Sequence, residues 1–455
     1  MHPDLNFQQA PPISVPFRFF LTAPLFGVAA GLLILYLGPA VFTSRWVPST
    51  LALTHLLTLG FISLIMCGAM MQMMPVLAGA VIPRPIMVST LVHLLLVSGT
   101  LLMGIGFFRF SPMLLKTSAL LLVIGFAVFI VAVSMALVRS GPVSGSITAM
   151  RGSILALLIT ATLGVLLVFS LISSEGSANL VVLANVHLTW GLLGWVGLLV
   201  IGVGYQVVPM FQITARYPEG LARYLAPMLF TGLLIWSILY FSGGGVLFRI
   251  APVWLALCML GFVAFTVITL RLQINRKRRT EDVTRNFWYL GMASVLVSIT
   301  LWFAAQMPEL ASLVSNRLPF ILGVCLLIGF AVSVINGMLY KIVPFLIWLH
   351  LQRLNPQVQT GLSTPIPNVK KIIPVKYLRW QFYLHLASCG ALIMAAVWPH
   401  WLASPAGLVL AASFALLWVN LLAAVAVYRR YLKLLEETTV LEGGVTSGRF
   451  LRWIR

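Results

Sequence analysis

Apolar stretches long enough to cross a bilayer recur twelve times along this chain, and that recurrence leaves few folds open to it. They lie near residues 18–42, 50–80, 86–108, 113–138, 148–172, 180–212, 222–241, 249–272, 287–306, 318–350, 377–399 and 404–430. About 20 consecutive apolar residues cross the hydrocarbon core as a helix. Lipid offers the backbone no hydrogen-bond partner, so each stretch must satisfy its own N–H and C=O groups and becomes an α-helix. Of the 455 residues, 60% are hydrophobic and only 8% charged, so no piece is left over for a soluble domain. The chain reads as an all-α integral membrane protein, a single transmembrane domain over residues 1–455 with a cytoplasmic tail at 431–455.

The formal net charge of +20 raises the question of nucleic acid, and its placement excludes it. Basic residues cluster at 271–285, 368–380 and 428–433, while Arg84, Arg139, Arg216 and Arg223 fall in other loops on the same side. The opposite loops, "SSEGSAN" and "QMPELASLVSN", are almost free of positive charge. This is the positive-inside pattern, with both termini cytoplasmic. The bilayer, with anionic lipid headgroups, is the partner this charge implies. Cys67, Cys258, Cys325 and Cys389 stand singly inside spans, which indicates neither a disulfide framework nor a thiolate metal site. No cleavable signal peptide is evident, because residues 1–17 are polar and proline-containing.

Self-similarity at a fixed period is also visible. The second, sixth and tenth spans end in "GAMMQMMPVL", "GVGYQVVPMF" and "GMLYKIVPFL". Their prolines, Pro75, Pro209 and Pro344, are 209 − 75 = 134 and 344 − 209 = 135 residues apart. Seven residues before each lies Gly68, Gly202 or Gly337, and fifteen before lies Gly60, Gly194 or Gly329. Phe61, Trp195 and Phe330 come directly after the latter, and Gln72, Gln206 and Lys341 stand three before the prolines. Small residues at fixed register let transmembrane helices approach closely. The expectation is a pseudo-threefold bundle of three four-helix repeats, approximately 1–112, 113–241 and 242–430, with helices 2, 6 and 10 inside.

His55 and His187 precede their prolines by 20 and 22 residues, near the non-cytoplasmic ends of helices 2 and 6. The two-residue offset is about 200° of helix rotation, so the side chains leave opposite faces of equivalent helices. The third repeat has Leu322 and Val324 at these positions, and neither ligates a metal. The inner-helix histidines, the Gly-aromatic step and the Tyr-x-x-x-Pro endings (Tyr205 and Tyr340) make the chain resemble subunit I of haem–copper oxidases. C-type oxidases and nitric oxide reductases are closest in style. The resemblance covers the whole chain in topology and the inner helices in specific residues. It implies that His55 occupies the place of a low-spin haem axial ligand, and His187 that of a copper ligand. Haem b is then the expected cofactor, with copper less strongly implied. A respiratory subunit or electron donor becomes the expected partner, in a bacterial cytoplasmic (inner) membrane. The chain departs from the family where helix 10 lacks its two histidines and helix 7, "LARYLAPMLFTGLLIWSILYF", lacks its pair.

Other candidates compete with packing roles. Met66, Met70, Met71, Met73 and Met74 could complete a soft-metal site, but such clusters commonly fill irregular cores. His93 and His385 begin helices 3 and 11 and form a secondary candidate site nearer the cytoplasmic face. Gln72, Gln206 and Lys341 occupy one layer, with Tyr205 and Tyr340 just before it. Lys341 is expected to snorkel, or else to hold an anionic group or a backbone carbonyl in a central polar plug. His2, His350 and His400 read as structural or solvated. All nine acidic residues lie in tails, loops or helix ends, which argues against proton pumping. The leading expectation is a degenerate, non-pumping member binding haem, a gas or a metal, with an accessory respiratory, nitric-oxide-response or metal-handling role. Its rivals are an active oxidoreductase completed by a partner subunit, and a cofactor-free transporter or assembly scaffold.

Overall fold

The protein is described as a computed structural model covering residues 10–79, 81–140, 144–172, 180–276, 281–307, 309, 316–354 and 366–441. The loops at 173–179 and 355–365, the basic residues 277–280, most of 308–315 and the tail beyond 441 lie outside the described residues, as does His2. Among the described residues the fold is all-helical, with twelve helices long and apolar enough to cross a membrane. They are α1 (Ser14–Phe42), α2 (Pro48–Val76), α3 (Pro85–Phe108), α4 (Pro112–Val138), α5 (Gly145–Ile172) and α6 (Leu180–Gln212). The other six are α7 (Glu219–Phe241), α8 (Gly245–Ile274), α9 (Val283–Ala304), α10 (Leu318–Leu354), α11 (Val375–Val397) and α12 (Pro399–Leu435).

Local chemistry sets the ends of these helices. Proline opens the first turn of α2, α3 and α4, where its missing N–H costs nothing. The Ser111 hydroxyl accepts from Leu114 N at the start of α4, and the Asp282 carboxylate accepts from Thr284 N at the start of α9. Gly79, in the left-handed conformation at φ 63°, closes the helix that carries α2.

Three helices are inside the bundle and nine surround them. In the most apolar window of α2, α6 and α10, 67%, 67% and 56% of residues are buried, against 28–44% for the others. The inner three touch one another. Trp195 of α6 donates Nε1–H to Ser63 Oγ of α2 at 3.2 Å, Phe211 of α6 meets Phe345 of α10 edge-on at 5.6 Å, and α2 packs on α10. Outside them α3 pairs with α4, α7 with α8, and α11 with α12, while α1 lies along α12 and brings the two ends of the chain together.

The recurring glycines do what their spacing implied. A Cβ on Gly68 would lie 2.8 Å from Phe19 Cβ of α1, and one on Gly60 would overlap Phe26 of the same helix. Gly194 and Gly202 stand in the same relation to Ala156 and Ala149 of α5, at 2.9 and 2.8 Å. Gly329 and Gly337 face Ser294 and Phe287 of α9. Each inner helix thus presses a glycine face onto the helix that precedes it in the chain, with no room for a methyl group.

The spacing did not foretell a break in helical winding. Each inner helix changes from α to π over one stretch: Leu56–Ser63, Trp190–Gly197 and Val324–Val332. The starts are 134 residues apart in both intervals, and each stretch contains the Gly-aromatic step. π turns are rare and carry extra residues per turn, so they rotate the helix on one side of them relative to the helix on the other. The histidines lie just before the first two.

Candidate functional site

His55 is the last α-helical residue before the π turn of α2, and His187 lies three residues before that of α6. Opposite faces of two neighbouring helices can be the two faces that line the groove between them. That is the case here. The two imidazoles stack with ring centroids 6.4 Å apart and planes inclined at 28°. Phe107, at the end of α3, covers the other side of His55 at 5.6 Å and 30°. Both histidines are half-buried.

Each ring is held by the same nitrogen. His55 Nδ1 lies 2.8 Å from Leu51 O, one turn earlier in α2. His187 Nδ1 lies 3.0 Å from Thr160 O of α5. A carbonyl only accepts, so both rings carry their proton on Nδ1 and present the Nε2 lone pair. Among the described residues neither Nε2 has a hydrogen-bond partner. Anchoring one imidazole nitrogen on a carbonyl so that the other is free to ligate is the usual second layer of a metal site. Gly164 of α5 makes the space, since a Cβ there would stand 3.2 Å from His187 Cε1. On the side of α6 that meets α7, Asn185 Nδ2 donates to Tyr240 Oη at 2.9 Å. Arg45, in the connection leading into α2, lies over Trp46 at 4.7 Å. Burial holds the Arg45 guanidinium below its ordinary pKa, with Tyr240 opposing the shift.

Two neutral nitrogens and no carboxylate define what such a crevice can hold. Among the described residues no group of three or more His, Cys, Asp or Glu side chains could share a metal ion. The donor set therefore suits a low-charge guest, because an uncompensated divalent ion in an apolar surrounding is costly. Imidazole ligates copper and haem iron alike. Phe107 and the Gly164 backbone close in on the two rings.

The remaining candidates are engaged elsewhere. His93 Nε2 meets Thr22 Oγ1 at 3.0 Å, with Phe19 edge-on to its ring. His385 is 1% exposed, and its Nε2 meets Ser333 Oγ at 2.8 Å. Each of these two rings thus gives the nitrogen that would ligate to a hydroxyl on its own neighbour. His350 Nδ1 pairs with Tyr428 Oη at 2.9 Å. Lys341 Nζ forms an ion pair with Asp282 Oδ2 at 2.9 Å, so the group it holds is anionic. It is drawn away from the Gln72 and Gln206 layer, and among the described residues no hydrogen bond links these three. Tyr340 Oη accepts from Asn420 Nδ2, and Tyr205 Oη donates to Leu221 O. The five methionines of α2 are all buried in the core, the most exposed at 7%.

The residues that sequence reasoning missed are Phe107, Thr160 and Gly164. None carries a motif; each matters through a contact made across helices. No family model matches this chain, and no curated protein matches it.

Proposed function

We propose that this chain is a pseudo-threefold relative of haem–copper oxidase subunit I, with both termini cytoplasmic, that binds a metal between His55 and His187 near the outer face. One observation carries the proposal: two facing imidazoles, each fixed through Nδ1 to a backbone carbonyl, each with Nε2 open. The three-repeat organisation is supported by the glycine faces turned to α1, α5 and α9 and by π turns at 134-residue intervals. A cuprous ion is the guest best suited to the crevice, and haem iron on one of the two imidazoles is the second. Either would supply a site for an electron or a diatomic gas.

The chain's own part is to hold the ligands still and keep the site dry. Leu51 O and Thr160 O fix the tautomers, and Phe107 and Gly164 set the ring positions. Without intramembrane carboxylates there is no relay of the kind pumps use, so the role is accessory: nitric oxide response, or haem and copper handling beside respiration. The test is an absorption spectrum of detergent-purified protein, oxidised and reduced, with copper and iron quantified. Metal near one per chain, lost in His55→Ala and His187→Ala, is the expected result. A colourless, metal-free protein that takes up neither cuprous ion nor haem would overturn it and favour a cofactor-free carrier or scaffold.

A further inference from the structure

The outward face of α11 changes chemistry along its length in the order that a phospholipid does. Lys376 and Arg379 stand in its first turns, exposed, and beside them Trp380 and Tyr383 are 60% and 55% exposed. These four and Val375 line a cavity of about 310 Å³. One further turn along, Leu386 is 43% exposed, and beyond it Gly390 has nothing within 4 Å of the position a Cβ would take. Met394, 44% exposed, continues the strip. The face thus runs from cationic through amphipathic aromatic to apolar, with open space beside Gly390.

Dimensions agree with that order. From Lys376 to Gly390 the helix rises about 21 Å. Half a bilayer, headgroups included, is about 20–22 Å thick. Aromatic rings at the level between charge and hydrocarbon are where membrane interfaces place them. Lys370 and Lys371, exposed on the short helix Val369–Ile372, precede the strip in the chain and add positive charge. The opposing charge comes from Glu281, 82% exposed, which pairs with Arg379 at 3.0 Å. A second membrane-facing cavity of about 440 Å³, on α4, has a single cation, Arg139, and no aromatic side chain. It is an internal control.

We propose that the α11 face is a binding site for one anionic phospholipid, with its phosphate between Lys376 and Arg379, its glycerol ester region against Trp380 and Tyr383, and an acyl chain over Leu386 and along the bare backbone at Gly390. The site is independent of the His55–His187 crevice, and its test reads lipid retention alone.

The experiment is native mass spectrometry of the full chain released from micelles doped with equal phosphatidylglycerol and phosphatidylcholine. Near-surface basic residues contribute enough that two of them give a preference of about thirtyfold. The expected result is that preference in the wild type, its loss in Lys376→Gln/Arg379→Gln, and its retention in Arg139→Gln. Both replaced side chains are exposed, so helix content and unfolding temperature in phosphatidylcholine serve as the folding control. Glu281→Gln gives an independent arm: it releases Arg379 and should strengthen the preference. Gly390→Phe puts a ring in the acyl chain's path along this face and should weaken retention of lipid. Equal retention of the two lipids by the wild type, or an undiminished preference in the double variant, overturns the proposal. Displacement of the lipid by millimolar inorganic phosphate would assign the site to a soluble anion and overturns it too.

Discussion

Two histidine environments inside the bundle differ in which ring nitrogen is held. In the α2–α6 crevice, His55 and His187 give Nδ1 to carbonyls and keep Nε2 open. In the α10–α11 pocket, His385 gives Nε2 to Ser333, has Cys389 Sγ 3.9 Å from that same nitrogen, and buries an Nδ1 that no described residue reaches. All three are histidines in apolar runs, and a membrane-buried ionisable side chain raises a functional question wherever it occurs. Burial does not answer it. The crevice has two rings face to face with their ligating nitrogens free, whereas the pocket has one ring tied to a hydroxyl.

The comparison can be broken most directly at the rings. His187→Ala or His55→Ala should weaken metal binding by more than about 100-fold, since even second-layer changes cost 10–100-fold. Titration of the purified variants with cuprous ion measures this, and wild-type affinity in either would remove that ring from the site. Gly164→Val tests the space instead of the ligand. The added side chain must push His187 aside, and an affinity loss of about tenfold is expected, close to 1.4 kcal/mol. An unchanged titration would mean that α5 yields and the ring does not.

The other half of the comparison should respond in stability alone. His385→Phe keeps the ring's bulk, removes the bond to Ser333, and should lower stability by about 1 kcal/mol with metal content untouched. Thermal unfolding read beside metal analysis checks both halves of that statement. The smallest effect belongs to Lys341→Met. Its pair with Asp282 is partly solvated, and Asp282 still caps α9, so a loss of about 0.2–1 kcal/mol is expected. A much larger loss would mean the pair holds α9 and α10 together.

Much of the fold was legible because its causes are local. Twelve spans result from backbone groups that lipid cannot satisfy, and all twelve expected spans are matched by helices. The inner position of α2, α6 and α10 was legible in Gly60, Gly68 and their counterparts, because a glycine face has no use except close approach. The candidate site was legible only in part. His55 and His187 stood out as residues, yet at 134-residue periodicity they looked like two separate ligands on opposite faces. The anionic group that Lys341 holds was not legible, because Asp282, 59 residues earlier in the chain, gives no sign of reaching it.

The sequence by itself determined how many helices are long and apolar enough to cross a membrane, roughly where they lie, which three are inside, and which side chains there are able to ligate. Those outcomes rest on hydrophobicity, helix-end chemistry and residue size, which act within a few turns. Only the tertiary structure decided that the His55 and His187 rings meet, that both turn Nε2 outward from their anchors, and that Phe107, Thr160 and Gly164 shape the space between them. These depend on how α2, α3, α5 and α6 rotate about their axes. That rotation is set by the summed packing of whole helix faces and by the π turns, and no short stretch of residues encodes it.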